Sequence, residues 1–184
     1  FFSEEALIKY RIKIEIEYLI ALCAVFHIKE LKPLSSRKTT ELRNIYIKFS
    51  NNDAKRIKKI EEKIKHDVKA DEYFLSDKLK RSGSINLLPW IHFALTSEDI
   101  NNLAYSLMWH DGLIHVYVPT LKKVISKLKF LAKKYNSTAM LAMTHGQPAT
   151  PTTIGKEFAV FCNRLQRQTA YIQEHKLQGK VGGA

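Results

Sequence analysis

In Leu121-Lys122-Lys123-Val124-Ile125-Ser126-Lys127-Leu128-Lys129-Phe130-Leu131, the apolar residues Leu121, Val124, Ile125, Leu128 and Leu131 recur at steps of three and four. Lys122, Lys123, Lys127 and Lys129, then Lys133 and Lys134, alternate with them. A strand needs a period of two. The period seen here predicts an amphipathic helix with a solvated basic face opposite a core stripe. The N-terminal part repeats the pattern from about Ser3, with Ile8, Ile12, Ile16, Leu19, Cys23 and Phe26 as its stripe. Glu4 and Glu5 fall in the first turn, where the helix dipole favours them. The alternation from Lys13 to Glu17 would also suit a strand, but the longer period prevails.

Outward from these two helices the chain continues to read as helical. Pro33 to Ser36 is a turn, and a second helix covers about Thr39 to Phe49. Asn51-Asn52-Asp53 caps a third, with Ile57, Ile60 and Ile64 on one face. His66-Asp67 interrupts it, and a further helix runs to about Leu79. Arg81-Ser82-Gly83-Ser84 is the clearest linker and divides the chain into residues 1–84 and 85–184. An apolar stretch from Ile85 to Leu95 contains Pro89. Thr96-Ser97 stands where an N-cap belongs, with Glu98 and Asp99 behind it. The helix it starts continues to about Tyr135, with a kink or break near Gly112 and Pro119. A last helix covers about Thr152 to Leu177. The fold class is all-α: an N-terminal helical domain followed by the start of a long helical bundle.

Composition narrows the function. The 184 residues are 45% hydrophobic, enough for one sizeable core or for one domain and part of another. The first residue is Phe, and the last stretch, Lys180-Val181-Gly182-Gly183-Ala184, carries no stop signal, so a longer polypeptide is expected. Cys23 and Cys162 lie in apolar helical patterns and read as buried, reduced thiols of a cytosolic protein. No apolar stretch approaches the ~18 residues that span a bilayer, and no membrane partner is expected. The net charge is +12. The lysines are spread over helix faces without a nucleic-acid motif, so nucleic-acid binding is not expected, while a positive field favours a polyanionic small substrate. No HxxxH pair is present, and His110 and His115 are off-register, so no metal site is expected. A Gly-rich phosphate loop is also missing.

Three polar turns carry the chemistry. Thr144-His145-Gly146-Gln147-Pro148-Ala149-Thr150-Pro151 places a histidine in a Gly/Pro-rich loop between an apolar run, Ala139 to Met143, and the helix from about Thr152. It reads either as a structural loop histidine or as an imidazole positioned as general acid or anion ligand. Thr96-Ser97 reads as a plain N-cap or as a capped N-terminus that also binds a carboxylate or phosphate. His66-Asp67 reads as a helix break with Asp67 capping the next helix. Alternatively it is a polar pair in which the carboxylate orients the imidazole.

Taken together these motifs resemble the adenylosuccinate lyase branch of the fumarase/aspartase superfamily. The resemblance rests on Phe2-Ser3-Glu4 to Glu17, on His66-Asp67-Val68-Lys69-Ala70 with Glu72-Tyr73-Phe74, on the Thr96 turn, and on the run from Thr144 to Glu157, which includes Thr153-Ile154-Gly155-Lys156-Glu157. It implies a cytoplasmic homotetramer with active sites shared between subunits, a nucleotide substrate and no cofactor. The reaction it implies is elimination of fumarate from adenylosuccinate, giving AMP, and from the succinyl-carboxamide imidazole ribotide of purine synthesis. His145 would be the general acid. His66 would support it, and Lys65, His66, Asp67, Thr96, Ser97, Thr144 and Gln147 would bind substrate. Met143 replaces the family's usual Arg, and Lys65 stands where relatives often have Asn or Arg. The family's catalytic base falls beyond Ala184, so residues 1–184 alone are not expected to turn over substrate. Two alternatives stay open: a lyase of the same superfamily acting on another succinyl-amine, and a non-catalytic helical module that binds a partner or RNA with a steep salt dependence.

Overall fold

The computed structural model describes residues 1–25 and 28–182. Its architecture is helical with one small hairpin, in the order α1 (Glu4–Val25), α2 (Ser36–Ile47), α3 (Asn51–Ile64), α4 (Asp67–Arg81), α5 (Ser97–Gly112), α6 (Val118–Lys134), β1 (Ala139–Thr144), β2 (Gln147–Thr153) and α7 (Ile154–Glu174). No helix among the described residues is long and apolar enough to cross a membrane. The chain forms two compact units, one of residues 1–109 with the tail from Leu177, the other of residues 110–176. The Arg81–Ser84 turn lies inside the first unit, where it joins α4 to a 3-10 segment, Ile85–Trp90.

In the first unit α1 is the central element. The predicted stripe of Ile8, Ile12, Ile16, Leu19 and Cys23 is buried, while Phe26 lies outside the described residues. These side chains join Leu42 of α2, Ile57 of α3 and Phe74, Leu75 and Leu79 of α4 in one core. Phe49 meets Phe74 edge to face at 6.1 Å, an arrangement that aromatic quadrupoles favour. Burial on α1 goes beyond the stripe and includes Arg11, Ile14 and Glu15. Helix starts obey capping chemistry. Ser3 Oγ accepts from Ala6 N. The third helix is capped by Ser50 in a reciprocal box with Asp53, so the cap starts one residue before the predicted Asn51-Asn52-Asp53 and uses its last residue. Such caps contribute about 1 kcal/mol each.

The second unit is an antiparallel pair of α6 and α7 with the hairpin between them in sequence. The predicted kink near Gly112 and Pro119 is a π-helical turn, Leu113–Tyr117, that leads into α6 with Pro119 in its first turn. Proline has no N–H to give, and a widened turn absorbs that loss. Gly155 sets how closely the two helices pack, because an added Cβ would lie 2.5 Å from the Ala132 carbonyl oxygen. Its N–H donates to Tyr135 O. Ile125 and Cys162 are buried between the helices, and Cys23 and Cys162 are both free thiols.

Two expectations need correction. The stretch before and after His145 is a β-hairpin, and the last helix starts at Ile154, capped by Thr153, and stops at Glu174. Pro148 and Pro151 argue against a strand, but β2 has a single neighbour and carries an irregularity in register opposite Leu141–Met143, where missing donors are tolerated. The apolar stripe of α6 is also less covered than its pattern suggests. Ile125 is buried, whereas Val124 is 47% exposed.

Candidate active site

The sequence-selected residues fall into both units, and each group is described by itself. In the first unit, Lys65 ends α3 in the left-handed conformation at φ 58° and is exposed. His66 follows as the N-cap of α4, its Nδ1 accepting from Lys69 N at 3.2 Å. A ring that accepts at Nδ1 carries its proton on Nε2. That differs from both alternatives read from the sequence, Asp67 as the cap of the helix and Asp67 as the group that orients the imidazole. Asp67 is the first residue of α4, its carboxylate comes only to 3.7 Å from His66 Nδ1, and the capping bond occupies that nitrogen instead.

The carboxylate of Asp67 is held from elsewhere. Arg11, its side chain 7% exposed, donates through Nη2 to Asp67 Oδ2 at 2.6 Å and through Nε to Asn101 Oδ1 at 2.8 Å. One guanidinium thus ties the start of α4 to the first turns of α5, as its planar fork allows. Burial alone would raise the Asp67 carboxyl, but the Val68 N–H and the Arg11 cation outweigh it and hold it below the usual carboxylate range. Asp71, one turn along α4, is fully buried 3.9 Å from Arg11, and burial holds its carboxyl well above that range. Neither of its oxygens has a hydrogen-bond partner among the described residues.

The Thr96 turn sits at the other end of this network. Thr96 donates through N and Oγ1 to Asp99 Oδ2, at 2.9 and 3.0 Å. Asp99, 1% exposed, also accepts from Gly182 N at 2.9 Å. The tail lies along α5: Asn102 exchanges bonds with the backbone of Lys180, and Ser106 donates to Gln178 O. Ser97 opens α5 and is half-buried. Immediately upstream, Glu15 of α1 accepts from His92 N at 3.2 Å and pairs with His92 Nδ1 at 2.5 Å. The first unit therefore brings His66, Asp67, Thr96 and Ser97 to helix starts that α1 braces through Arg11 and Glu15.

In the second unit His145 and Gly146 form the two-residue turn of the hairpin, at φ 49° and 75°. Both central residues in the left-handed region are what a type I′ turn requires, and a histidine there carries some strain. Thr144 and Gln147 pair across the turn. All four are exposed, and β2 separates His145 from the N-terminus of α7. An anion-binding role for His145 through an adjoining helix dipole therefore loses its geometric basis. What remains is an imidazole fixed at the tip of a short ribbon, open to a reacting group.

Among the described residues no group of three or more His, Cys, Asp or Glu side chains is placed to hold a metal ion. Sequence reasoning missed Arg11, Glu15, Asp71 and His92. The available signal was charged residues spaced at 11 and 15 within the apolar stripe of α1, positions that a solvated face would not occupy.

Comparison with known proteins matches this arrangement to one family. The pattern of the family described as "Lyase" covers residues 1–184, and the chain belongs to that family. Within it, the chain is 44% identical over 192 residues to a protein of Dictyostelium discoideum named adenylosuccinate lyase, covering all of this chain and 41% of that protein. It is 42% identical over 184 residues to the adenylosuccinate lyase of Escherichia coli strain K12, covering 100% of this chain and 40% of the relative. The chain thus spans about two fifths of the length of these relatives. The fold is shared with the crystal structure of a fumarate lyase from Mesorhizobium, with a TM-score of 0.77 at 22% identity over all of this chain and 41% of that one.

Proposed function

We propose that the complete protein is an adenylosuccinate lyase. It would eliminate fumarate from adenylosuccinate to give AMP, and from the succinyl-carboxamide imidazole ribotide, within cytoplasmic purine synthesis. The observation that carries this reading is identity of 40–44% along this chain to relatives named adenylosuccinate lyase. The fumarate lyase of known structure reaches only 22%.

The residues suit the chemistry. A proton leaves the succinyl Cβ, its electron pair forms the new C=C bond, and the C–N bond breaks with protonation of the leaving nitrogen. His145, exposed on its turn, serves as the general acid, with Thr144 and Gln147 beside it for substrate binding. The aci-carboxylate needs donors aimed at it. The Thr96 hydroxyl is spent on Asp99, so it holds the turn in shape. Ser97 and the first N–H groups of α5 bind the succinyl carboxylate. His66, through Nε2, with Lys65 and Asp67, faces the nucleotide. His66 supports proton transfer. The reaction uses no cofactor, and its base would come from the part of the relatives' length that these 184 residues do not span. Exposure of Val124, Phe130, Phe161 and Tyr171 in the second unit supports assembly into a homotetramer that covers them and shares its sites between subunits.

The test is product analysis with the complete gene product, offering adenylosuccinate and argininosuccinate in parallel. Fumarate and AMP from the first alone is the expected result. Release from argininosuccinate, or from neither, rejects the reading.

A further inference from the structure

Glu15 presents a physical problem. Its side chain is 1% exposed on a helix whose stripe of Ile12, Ile16 and Leu19 is buried, and its charged or titratable neighbours include Lys69 and the buried Asp71 of α4 and Tyr18 of α1. A carboxylate in such surroundings costs free energy, and a well-packed apolar residue there would stabilise the fold as well or better. Both oxygens of Glu15 go to one residue. Oε2 accepts the backbone N–H of His92 and Oε1 meets its ring Nδ1. One turn further along α1, Tyr18 donates its hydroxyl to the next carbonyl, Phe93 O, at 3.0 Å. The segment so gripped is strained: His92 and Ala94 both lie at φ 57°, a left-handed conformation that costs a non-glycine residue about 1 kcal/mol or more. Two residues after Ala94 comes Thr96.

We infer that Glu15 and His92 form a positioning pair for the Thr96–Ser97 turn. Through it a buried carboxylate on α1 holds the strained segment 92–94 in the conformation that sets Ser97 and the start of α5 for the substrate's carboxylate. This deepens the lyase reading and rests on it for the identity of the ligand. Glu15 and Arg11 stand four residues apart on α1, so one helix sets both the His66-Asp67 turn and the Thr96 turn. Neither residue of the pair need touch substrate for this role.

The pair also has a pH signature. Its hydrogen bond to Glu15 raises the His92 pKa above the ordinary histidine value, against the opposing effect of burial. Glu72 of α4 adds to the rise and Lys69 of α4 opposes it. A raised histidine stabilises the fold fully below its unfolded pKa, and the stabilisation is lost as pH climbs through the folded value. The grip on the turn therefore weakens on the alkaline side.

The experiment uses the complete protein with Glu15→Gln, His92→Gln and both together. Hydrogen exchange of residues 92–101 is followed by mass spectrometry beside steady-state kinetics on adenylosuccinate. Expected are faster exchange in that segment in Glu15→Gln, and a fall in kcat/KM of about 10-fold or more carried mainly by KM. The alkaline limb should move to lower pH, and the double variant should lose little more than either single one. A lower melting temperature with KM, pH profile and local exchange unchanged would overturn the proposal, as would additive losses in the double variant. If the unaltered protein cleaves no adenylosuccinate, the lyase reading falls. Exchange in 92–101 then decides the pair by itself: faster supports it, unchanged rejects it.

Discussion

The polar residues of the first unit are bound to one another, whereas the key histidine of the second is bound to little and displayed. Asp67, Asn101, Thr96 and His92 are fixed through Arg11, Glu15 and Asp99, all nearly buried. His145 sits at an exposed hairpin tip whose precision comes from two left-handed residues and a short ladder. The difference matches the proposed tasks. Groups that hold a carboxylate or nucleotide gain from a stiff, preorganised frame. A group that must deliver a proton needs an accessible edge and a fixed backbone. Removing a bracing residue in the first unit should therefore cost stability and binding together, while removing the displayed group in the second should cost turnover alone.

Arg11→Leu gives the largest expected effect. It strips from Asp67 and Asn101 the guanidinium that both accept from, a loss of about 3 kcal/mol for two hydrogen bonds to a charged group once solvent screening at the partly exposed Asp67 is discounted. Urea unfolding of the complete protein reads this out, and an unchanged midpoint would show that the network is not a brace. His145→Ala comes next. Turnover of adenylosuccinate should fall by about 10² or more, with circular dichroism and melting temperature unaltered. Near-normal turnover would remove His145 from the chemistry. Gly155→Ala should cost about 1–3 kcal/mol, because the new methyl meets the backbone of Ala132 and Asn136 and forces α6 and α7 apart. Stability within error of the parent would show that the close approach is not required.

The smallest expected effect is a pH dependence. The Asp67 carboxyl is held below its ordinary value, so its contribution is present above the unfolded carboxylate pKa and is lost as pH falls through the lowered folded one. Unfolding midpoints taken between about pH 5 and pH 2 should decline in the parent, and decline less in Asp67→Asn. Parallel curves for the two proteins would assign the acid limb to other groups.

How far these two regions were legible in the sequence follows from the reach of their interactions. Helices were readable because the period of Ile8, Ile12, Ile16 and Leu19 reports burial directly. The turns that start helices were readable because Ser, Thr and Asp cap within three residues. Even so, the N-cap of the third helix is Ser50, with only Asp53 of the predicted Asn51-Asn52-Asp53 in its box, and His66 holds the cap that one reading gave to Asp67. The bracing was not readable. Arg11 reaches Asp67 and Asn101 across 56 and 90 positions, and Glu15 reaches His92 across 77. No local periodicity carries such information. The hairpin was hidden by Pro148 and Pro151, although a two-residue turn with Gly146 in second place was a usable sign of it. The docking of Gln178–Gly182 on α5 had no local signal at all.

The central claim is that these two differently built parts serve one elimination reaction, with sites shared between subunits. Mixing tests it most directly. The complete protein carrying His145→Ala and the complete protein carrying Thr96→Val with Ser97→Ala are each prepared inactive, then dissociated, combined and reassembled. Activity on adenylosuccinate should return in the mixture, because some sites then pair an intact Thr96 turn from one subunit with an intact His145 from another. A mixture no more active than the sum of its two components would contradict the account.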